Sequence, residues 1–177
     1  MFKKLYLTAS QRREILKWTL YALVFLALLL NQTTLLGKFP IFGLKLNFVP
    51  LLLVCICIKE GPERGGIFCL ITTLIQALSG VDYGGLSIAA LTVCAVVSGI
   101  LCNSVLNNRF LPALLCSFVT LVINETVIIL FRVVLDRTAI QNLWLKAVPA
   151  CALSLVAFPV IYLLVKAIEK TGGSHGV

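Results

Sequence analysis

Charge is scarce in this sequence. Of its 177 residues only 12% are charged, whereas 60% are apolar, and the mean hydropathy is +1.04. A water-soluble domain carries roughly a quarter of its residues as Asp, Glu, Lys or Arg. A surface with about half that charge does not suit water, so the composition predicts an integral membrane protein.

Acidic residues and histidine are also few, with seven Asp and Glu and one His in the whole chain. Most hydrolase sites and carboxylate-bound metals need several such groups in one place. We therefore expect no enzymatic activity, no metal site and no cofactor. A lipid-modifying membrane enzyme is disfavoured for the same reason, because no paired acids or His lie near a predicted membrane face.

Cysteine is present but in no ligating pattern. The seven cysteines all lie in apolar stretches, at Cys55, Cys57, Cys69, Cys94, Cys102, Cys116 and Cys151. Their odd number predicts no disulfide framework, and the Cys-x-Cys pair near residue 56 has no zinc-ligand spacing. We interpret them as small, polarizable packing residues.

Long apolar runs dominate the chain. They cover residues 18–36, 47–58, 67–78, 86–106, 110–131 and 147–168. A membrane-spanning helix needs about 20 apolar residues, so we predict an all-α integral membrane protein, a compact bundle of about six transmembrane helices with the second and third short. A basic cytoplasmic segment (1–17) precedes this domain (18–168), and a disordered cytoplasmic tail (169–177) follows it. The first run predicts an uncleaved signal anchor, because it is too long for a signal peptide and ends without a cleavage site.

The basic residues predict the orientation. With six crossings, the side of the N-terminus collects ten Lys and Arg, and the opposite side collects five. Cytoplasmic loops carry the excess of Lys and Arg, so both termini are predicted to be cytoplasmic. A re-entrant hairpin at the two short runs would leave four spans and the same orientation. The net charge of +8 does not predict nucleic-acid binding, because the basic residues are not interleaved with aromatics.

Glycines mark the two central turns, at Gly61, Gly65, Gly66, Gly80, Gly84 and Gly85. The first turn, residues 59–66, contains four charged residues that are too costly to place in hydrocarbon. It therefore reaches water or the headgroup layer. It is not a phosphate-binding loop, because no Gly-Lys-Ser/Thr follows.

A stripe of small residues recurs every fourth position on the fourth run, at Ala90, Cys94, Ser98 and Cys102. Such a stripe lets another helix approach closely. It predicts either a contact within the bundle or an interface with the transmembrane helix of a partner.

Asn124 and Glu125 lie deep in the fifth run, and Arg132 follows two turns later on roughly the same face. An intramembrane carboxylate is a candidate functional group, because it has to be paired, protonated or hydrated. Two interpretations stay open: an internal hydrogen-bonded Glu, or part of an ion path. A proton relay would need further acids or a His at that depth, and the sequence has none there.

Three stretches, residues 43–54, 60–67 and 74–88, together with the ending Phe158-Pro159-Val-Ile-Tyr, resemble the MreD family of the bacterial rod-shape machinery. The resemblance spans roughly residues 20 to 170. It implies a membrane scaffold without enzymatic activity. The partners it implies are MreC and, through MreC, the MreB filament, the RodA glycosyltransferase and a penicillin-binding transpeptidase, with membrane lipid around them.

The resemblance has one departure and one competitor. The family often has an Asp where this sequence has Gln76-Ala77, and the nearest acid is Asp82. The alternative is the substrate-binding S component of an energy-coupling-factor vitamin transporter, also a small helical bundle. Its Ala-x-x-x-Ala contact motif is absent from the first run, where Ala22 and Ala27 are five residues apart.

Overall fold

The computed structural model describes residues 9–38, 47–78, 85–104, 110–136 and 140–171. Within these ranges the chain forms seven α-helices and no strand. The helices are α1 (Ala9–Lys38), α2 (Val49–Glu60), α3 (Pro62–Leu78), α4 (Gly85–Ser104), α5 (Phe110–Asp136), α6 (Ile140–Val156) and α7 (Phe158–Thr171). The predicted all-α class is therefore confirmed.

Helix α2 is the centre of the bundle. Every residue from Val49 to Ile58 is buried, and α1, α3, α4, α5 and α7 pack around it. The sequence of α2 is apolar on all sides, so no face of this helix favours solvent or lipid. A helix with this sequence is therefore best accommodated when protein surrounds it on every side.

Two glycines allow neighbouring helices to approach α2 closely at Cys57. A Cβ atom on Gly65 of α3 would lie 2.6 Å from the Cα atom of Cys57, and one on Gly99 of α4 would lie 2.9 Å from its carbonyl oxygen. Neither helix could hold its position with a larger residue there. These two contacts fix α2 between α3 and α4.

Several polar side chains are buried among the apolar core of the bundle, whereas many large apolar side chains lie on its outer faces. Fully buried polar residues include Thr72, Gln76, Ser117, Thr120 and Asn124. Large apolar residues are instead exposed along the outer faces, among them Leu23, Leu26, Leu111, Val160 and Leu163. An extensive apolar surface of this kind is unfavourable in water but suits a hydrocarbon solvent. The distribution agrees with an integral membrane protein.

Three helices of the described chain are long and apolar enough to cross a membrane, with spans at Ser10–Gln32, Ser87–Ser104 and Phe110–Leu130. The pair α6 and α7 would make a fourth span if counted together. Helix α2 has 12 residues and is about 18 Å long, short of the ~30 Å hydrocarbon core. The described helices thus supply three or four spans by length and composition, and the prediction of six stays a prediction.

The sixth apolar run is two helices rather than one. Helices α6 and α7 meet at Ala157 with a bend of 43°. Pro159 explains this break, because proline has no N–H for the carbonyl four residues earlier and its ring clashes with that carbonyl. At the break, the Ala157 N–H donates to the backbone carbonyl oxygen of Ser154, three residues earlier, at 3.1 Å.

Two predicted boundaries shift. Helix α1 begins at Ala9, so the basic segment contributes its last residues to the helix before the apolar run starts. At the other end, Glu169–Thr171 belong to α7 and are not part of a disordered tail. Burial of Ile168 and the ion pair of Glu169 with Lys59 explain why the helix continues there. Residues 172–177 lie outside the described ranges.

Candidate functional site

The turn between α2 and α3 consists of a single residue, Gly61. Its φ of 90° and ψ of 160° lie in a region that only glycine adopts readily. Pro62 begins α3 directly, where its missing N–H costs no hydrogen bond. The Gly65 N–H donates to the Gly61 oxygen at 3.0 Å and closes the first turn. The two helices therefore form a tight hairpin.

Glu60, the last residue of α2, has two partners on α1. Lys17 Nζ lies 2.5 Å from its Oε2 atom, and the Tyr21 hydroxyl donates to its Oε1 atom at 2.8 Å. The side chains of Lys17 and Glu60 are only 13% and 6% exposed. A buried carboxylate is tolerated when it is paired and hydrogen-bonded. This contact anchors the hairpin tip to α1.

Two more ion pairs surround the same turn. Lys59 Nζ lies 3.7 Å from Glu169 Oε2 on α7, and Arg64 Nη1 lies 2.6 Å from Glu14 Oε1 on α1. Lys59 also lies over the ring of Tyr162, 5.3 Å from its centroid. We call the residues Glu14, Lys17, Lys59, Glu60, Arg64 and Glu169 the charged end. It joins the first helix, the hairpin tip and the last helix at one end of the bundle.

The opposite end of α2 carries a smaller polar cluster. Gln32 Nε2 donates to Asn47 Oδ1 at 3.2 Å, and the Asn47 N–H donates to Ser154 Oγ at 3.3 Å. This cluster joins α1, the start of α2 and α6. The sequence offered no local signal for it, since Asn47 and Ser154 are more than a hundred residues apart.

The predicted intramembrane polar site is described in part. Asn124 is buried, and its Oδ1 atom has no hydrogen-bond partner. Glu125 is half-buried on the same helix. Arg132 belongs to α5, but its side chain lies outside the described part of the structure. The role predicted for these residues stays a prediction.

The predicted small-residue stripe lies partly against α5. Ser98 Oγ is 3.4 Å from Thr120 Oγ1, and Cys102 Sγ is 3.7 Å from Cys116 Sγ. Ala90 and Cys94, the two other members, are half-buried. Ser98 and Cys102 are therefore buried against α5, whereas Ala90 and Cys94 are only half-buried.

The predicted turn glycines have different positions. Gly61 forms the hairpin turn, whereas Gly65 and Gly66 lie in α3 and are buried against α2 and α4. Gly85 is the first residue of α4. Gly80 and Gly84 lie outside the described residues, as does Asp82. The positions of Gly65 and Gly66 indicate helix packing, not a turn.

Gln76, the position where the sequence departs from the resembled family, is buried in α3. It is 1% exposed, and both atoms of its amide group lack a hydrogen-bond partner. An unpartnered buried amide destabilises a protein by about 1–3 kcal/mol. The position therefore carries a polar group that packing alone does not explain.

No group of three or more His, Cys, Asp or Glu side chains that could hold a metal ion occurs in the described residues. No family model, curated protein or solved structure matches this chain. The site therefore has to be interpreted from its own contacts. These contacts pair acids with bases and connect helices, and they are the kind that fixes an architecture.

Proposed function

We propose that this protein is a non-enzymatic scaffold subunit in the cytoplasmic membrane of a bacterium. In this proposal it belongs to the cell-elongation complex that synthesises peptidoglycan, and it regulates cell shape together with MreC. Its further partners, reached through MreC, are MreB, RodA and a penicillin-binding transpeptidase. The proposal begins from the resemblance of the sequence to the MreD family.

The enclosed position of α2 is the observation that supports a scaffold best. Ten consecutive residues of this helix are buried, and its backbone touches two neighbouring helices at Cys57. The centre of the described bundle is therefore filled by protein. A rigid, filled bundle suits a subunit that holds partners in place.

The glycine-rich stretch that resembles the MreD family shapes and positions the α2–α3 hairpin. Gly61 makes the hairpin turn, and Gly65 allows α3 to pack against α2. Glu60 and Arg64, from the same stretch, tie that hairpin to α1. In the proposed scaffold, these contacts fix the hairpin inside the bundle and so hold in place the outer helices that partners can reach.

The charged end supports a cytoplasmic location of both termini. Among the described residues, it and the adjoining helix ends carry seven Lys and Arg (Arg12, Arg13, Lys17, Lys59, Arg64, Lys166 and Lys170) against four Glu (Glu14, Glu60, Glu63 and Glu169). An excess of Lys and Arg is typical of the cytoplasmic side. In this arrangement α1, α4, α5 and the pair α6 and α7 cross the membrane, and the α2–α3 hairpin completes the count of six passes.

The alternative function is the S component of a vitamin transporter. One observation favours it: the cluster of Gln32, Asn47 and Ser154 lies at the end of α2 opposite the charged end, and Gln32 Oε1 there has no partner. Polar groups at the outer end of a bundle are what a captured vitamin would need. The scaffold is preferred because the first helix has no spacing of small residues for docking on a coupling subunit.

Expression in cells depleted of the native protein separates the two functions. The scaffold predicts that the chain restores the rod shape of the cells and leaves vitamin uptake unchanged. Restored vitamin uptake in cells that remain round would contradict the scaffold and favour the transporter. A Gly61→Val variant, which cannot form the hairpin turn without strain, should fail to restore shape although it reaches the membrane.

A further inference from the structure

A cleft opens between α1 and α3 beside the charged end. It is lined by Glu14, Trp18, Arg64, Ile67, Phe68 and Ile71 and has a volume of about 320 Å³. Among the lining residues, the rings of Trp18 and Phe68 pack against each other with centroids 5.6 Å apart. The lining is almost entirely apolar, and we call its two charged residues, Glu14 and Arg64, the rim. The cleft therefore presents a hydrocarbon surface that ends at a charged group.

The rim cation is available to a ligand. The Arg64 side chain is 61% exposed, and its contact with Glu14 uses the Nη1 atom. A guanidinium group has five N–H donors in a planar fork, which matches the oxygens of a phosphate. Donors thus remain for an anion beside the Glu14 carboxylate.

The apolar wall continues away from the rim along α3. The exposed residues of this face are Ile67, Leu70, Ile71, Leu74, Ile75 and Leu78. They extend over about 16 Å of helix from Ile67 to Leu78, close to the length of a lipid acyl chain. A charged head at one end and an acyl-length apolar track below it match the two parts of a phospholipid.

The charge of the surroundings selects the kind of headgroup. The excess of Lys and Arg at this end attracts anionic lipid over zwitterionic lipid. Trp18, with its amphipathic indole, is a residue type enriched at the membrane interface. We propose that the α1–α3 cleft binds an anionic phospholipid of the phosphatidylglycerol type, with its phosphate on Arg64 and an acyl chain along Ile67 and Ile71.

This binding site is independent of the proposed scaffold function, because a transporter subunit could hold the same lipid. A transmembrane helix of a partner is less suited to the cleft, since it would bury the exposed Arg64 guanidinium against an apolar surface. A second copy of this chain would bring another net positive charge to the same end.

Quenching of Trp18 by brominated lipid tests the proposal. The full chain with Trp144→Phe retains Trp18 as its single tryptophan. It is reconstituted in phosphatidylcholine vesicles that contain equal fractions of either brominated phosphatidylglycerol or brominated phosphatidylcholine. We expect the apparent association constant at Trp18 to be about fivefold higher for phosphatidylglycerol, the effect of about one basic residue near a membrane surface.

Three variants identify the residue responsible. Arg64→Gln should bring the two lipids close to parity. Lys170→Gln removes the same charge from α7, away from the cleft, and should keep the preference. Glu14→Gln breaks the same ion pair as Arg64→Gln but leaves the guanidinium in place, so it should also keep the preference. Circular dichroism of each variant checks that its helix content is unchanged.

Each remaining outcome contradicts the proposal. Equal quenching by both lipids in the unmodified cleft would exclude selective binding. Weak quenching by both would show that protein, such as a second copy of the chain, covers the cleft. Equal losses in Arg64→Gln and Lys170→Gln would indicate general surface attraction, and an equal loss in Glu14→Gln would indicate that the ion pair only supports the fold.

Discussion

At the scale of single residues, the ionic contacts at the hairpin tip differ in burial and therefore in strength. The Lys17–Glu60 pair is nearly excluded from solvent, whereas the side chains of Arg64 and Glu14 are 61% and 43% exposed. Exposed pairs contribute about 0–1 kcal/mol. Breaking a buried pair by removing one partner costs about 3–5 kcal/mol, because the other charge stays buried.

Glu60→Ala is therefore predicted to destabilise the protein strongly. It leaves the Lys17 ammonium without a counter-charge and the Tyr21 hydroxyl without its acceptor, so we expect a loss of about 3–5 kcal/mol. Glu14→Ala is the matched control, with an expected loss below about 1 kcal/mol. Denaturant unfolding in detergent, followed by circular dichroism, measures both. Equal losses would show that burial of the Glu60 pair does not matter.

Glu125 is predicted to act through hydrogen bonding and not through proton transfer. Glu125→Gln keeps the shape and hydrogen-bonding capacity of the side chain, whereas Glu125→Leu removes both. A scaffold should tolerate Gln much better than Leu, with losses seen as reduced recovery of the complex and rounded cells. Complementation of depleted cells measures this difference. An inactive Gln variant would favour a proton- or ion-coupled transporter.

At the scale of helices, the hairpin depends on how closely α3 approaches α2. A Cβ atom on Gly65 would meet the Cα atom of Cys57 at 2.6 Å, whereas one on Gly66 would meet the Val96 Cγ2 atom at 2.8 Å. The first neighbour is backbone and has no freedom to move. The second is a methyl group of a β-branched side chain, which is stiff in a helix but can still shift more easily than backbone.

Gly65→Ala is thus predicted to be more harmful than Gly66→Ala. Overpacking of this kind costs about 1–3 kcal/mol when the neighbours must shift. We expect a loss in that range for Gly65→Ala and a smaller one for Gly66→Ala. Thermal unfolding of the two variants in the same detergent makes the comparison, since both replace a buried glycine of α3 by alanine. A larger loss at Gly66 would contradict the described hairpin contact.

The sequence predicted where the helices lie more completely than it predicted how they pack and which side chains pair. Its six apolar runs overlap all seven described helices, with the sixth run covering parts of both α6 and α7. The charges near Gly61 indicated a turn that reaches a polar layer. The run of α2 is uniformly apolar, so it contains no periodicity that could indicate burial on every side. The partners of Glu60 are 43 and 39 residues away, and no local pattern encodes a contact at that distance. The break at Ala157 did have a local signal, Pro159. The run was nevertheless predicted as one helix because it is apolar on both sides of this proline.

At the scale of the whole molecule, the distribution of polarity determines the environment. Many large apolar side chains lie on the outside, whereas several Thr, Ser, Asn and Gln side chains are buried inside. Hydrogen bonds such as the one between Thr73 and Thr92 (3.3 Å) join helices where lipid offers no hydrophobic driving force. The bundle is therefore suited to assembly within a membrane.

The orientation prediction is that both termini are cytoplasmic. Single cysteines at Asp82 and Arg109, introduced into a cysteine-free chain, should then react with membrane-impermeant reagents from opposite sides. Asp82 is expected outside and Arg109 in the cytoplasm, because the ten basic residues of the terminal side favour the cytoplasm. Labelling of both positions from the same side would contradict a crossing of the membrane by α4, the helix that lies between them.

The measurement that tests the scaffold function most directly is the recovery of partners with the tagged full chain from native membranes. The scaffold predicts that MreC is recovered in comparable amount in a mild detergent, and that Gly65→Ala lowers this recovery more than Gly66→Ala. Recovery of the coupling subunit of a vitamin transporter without MreC would contradict the scaffold.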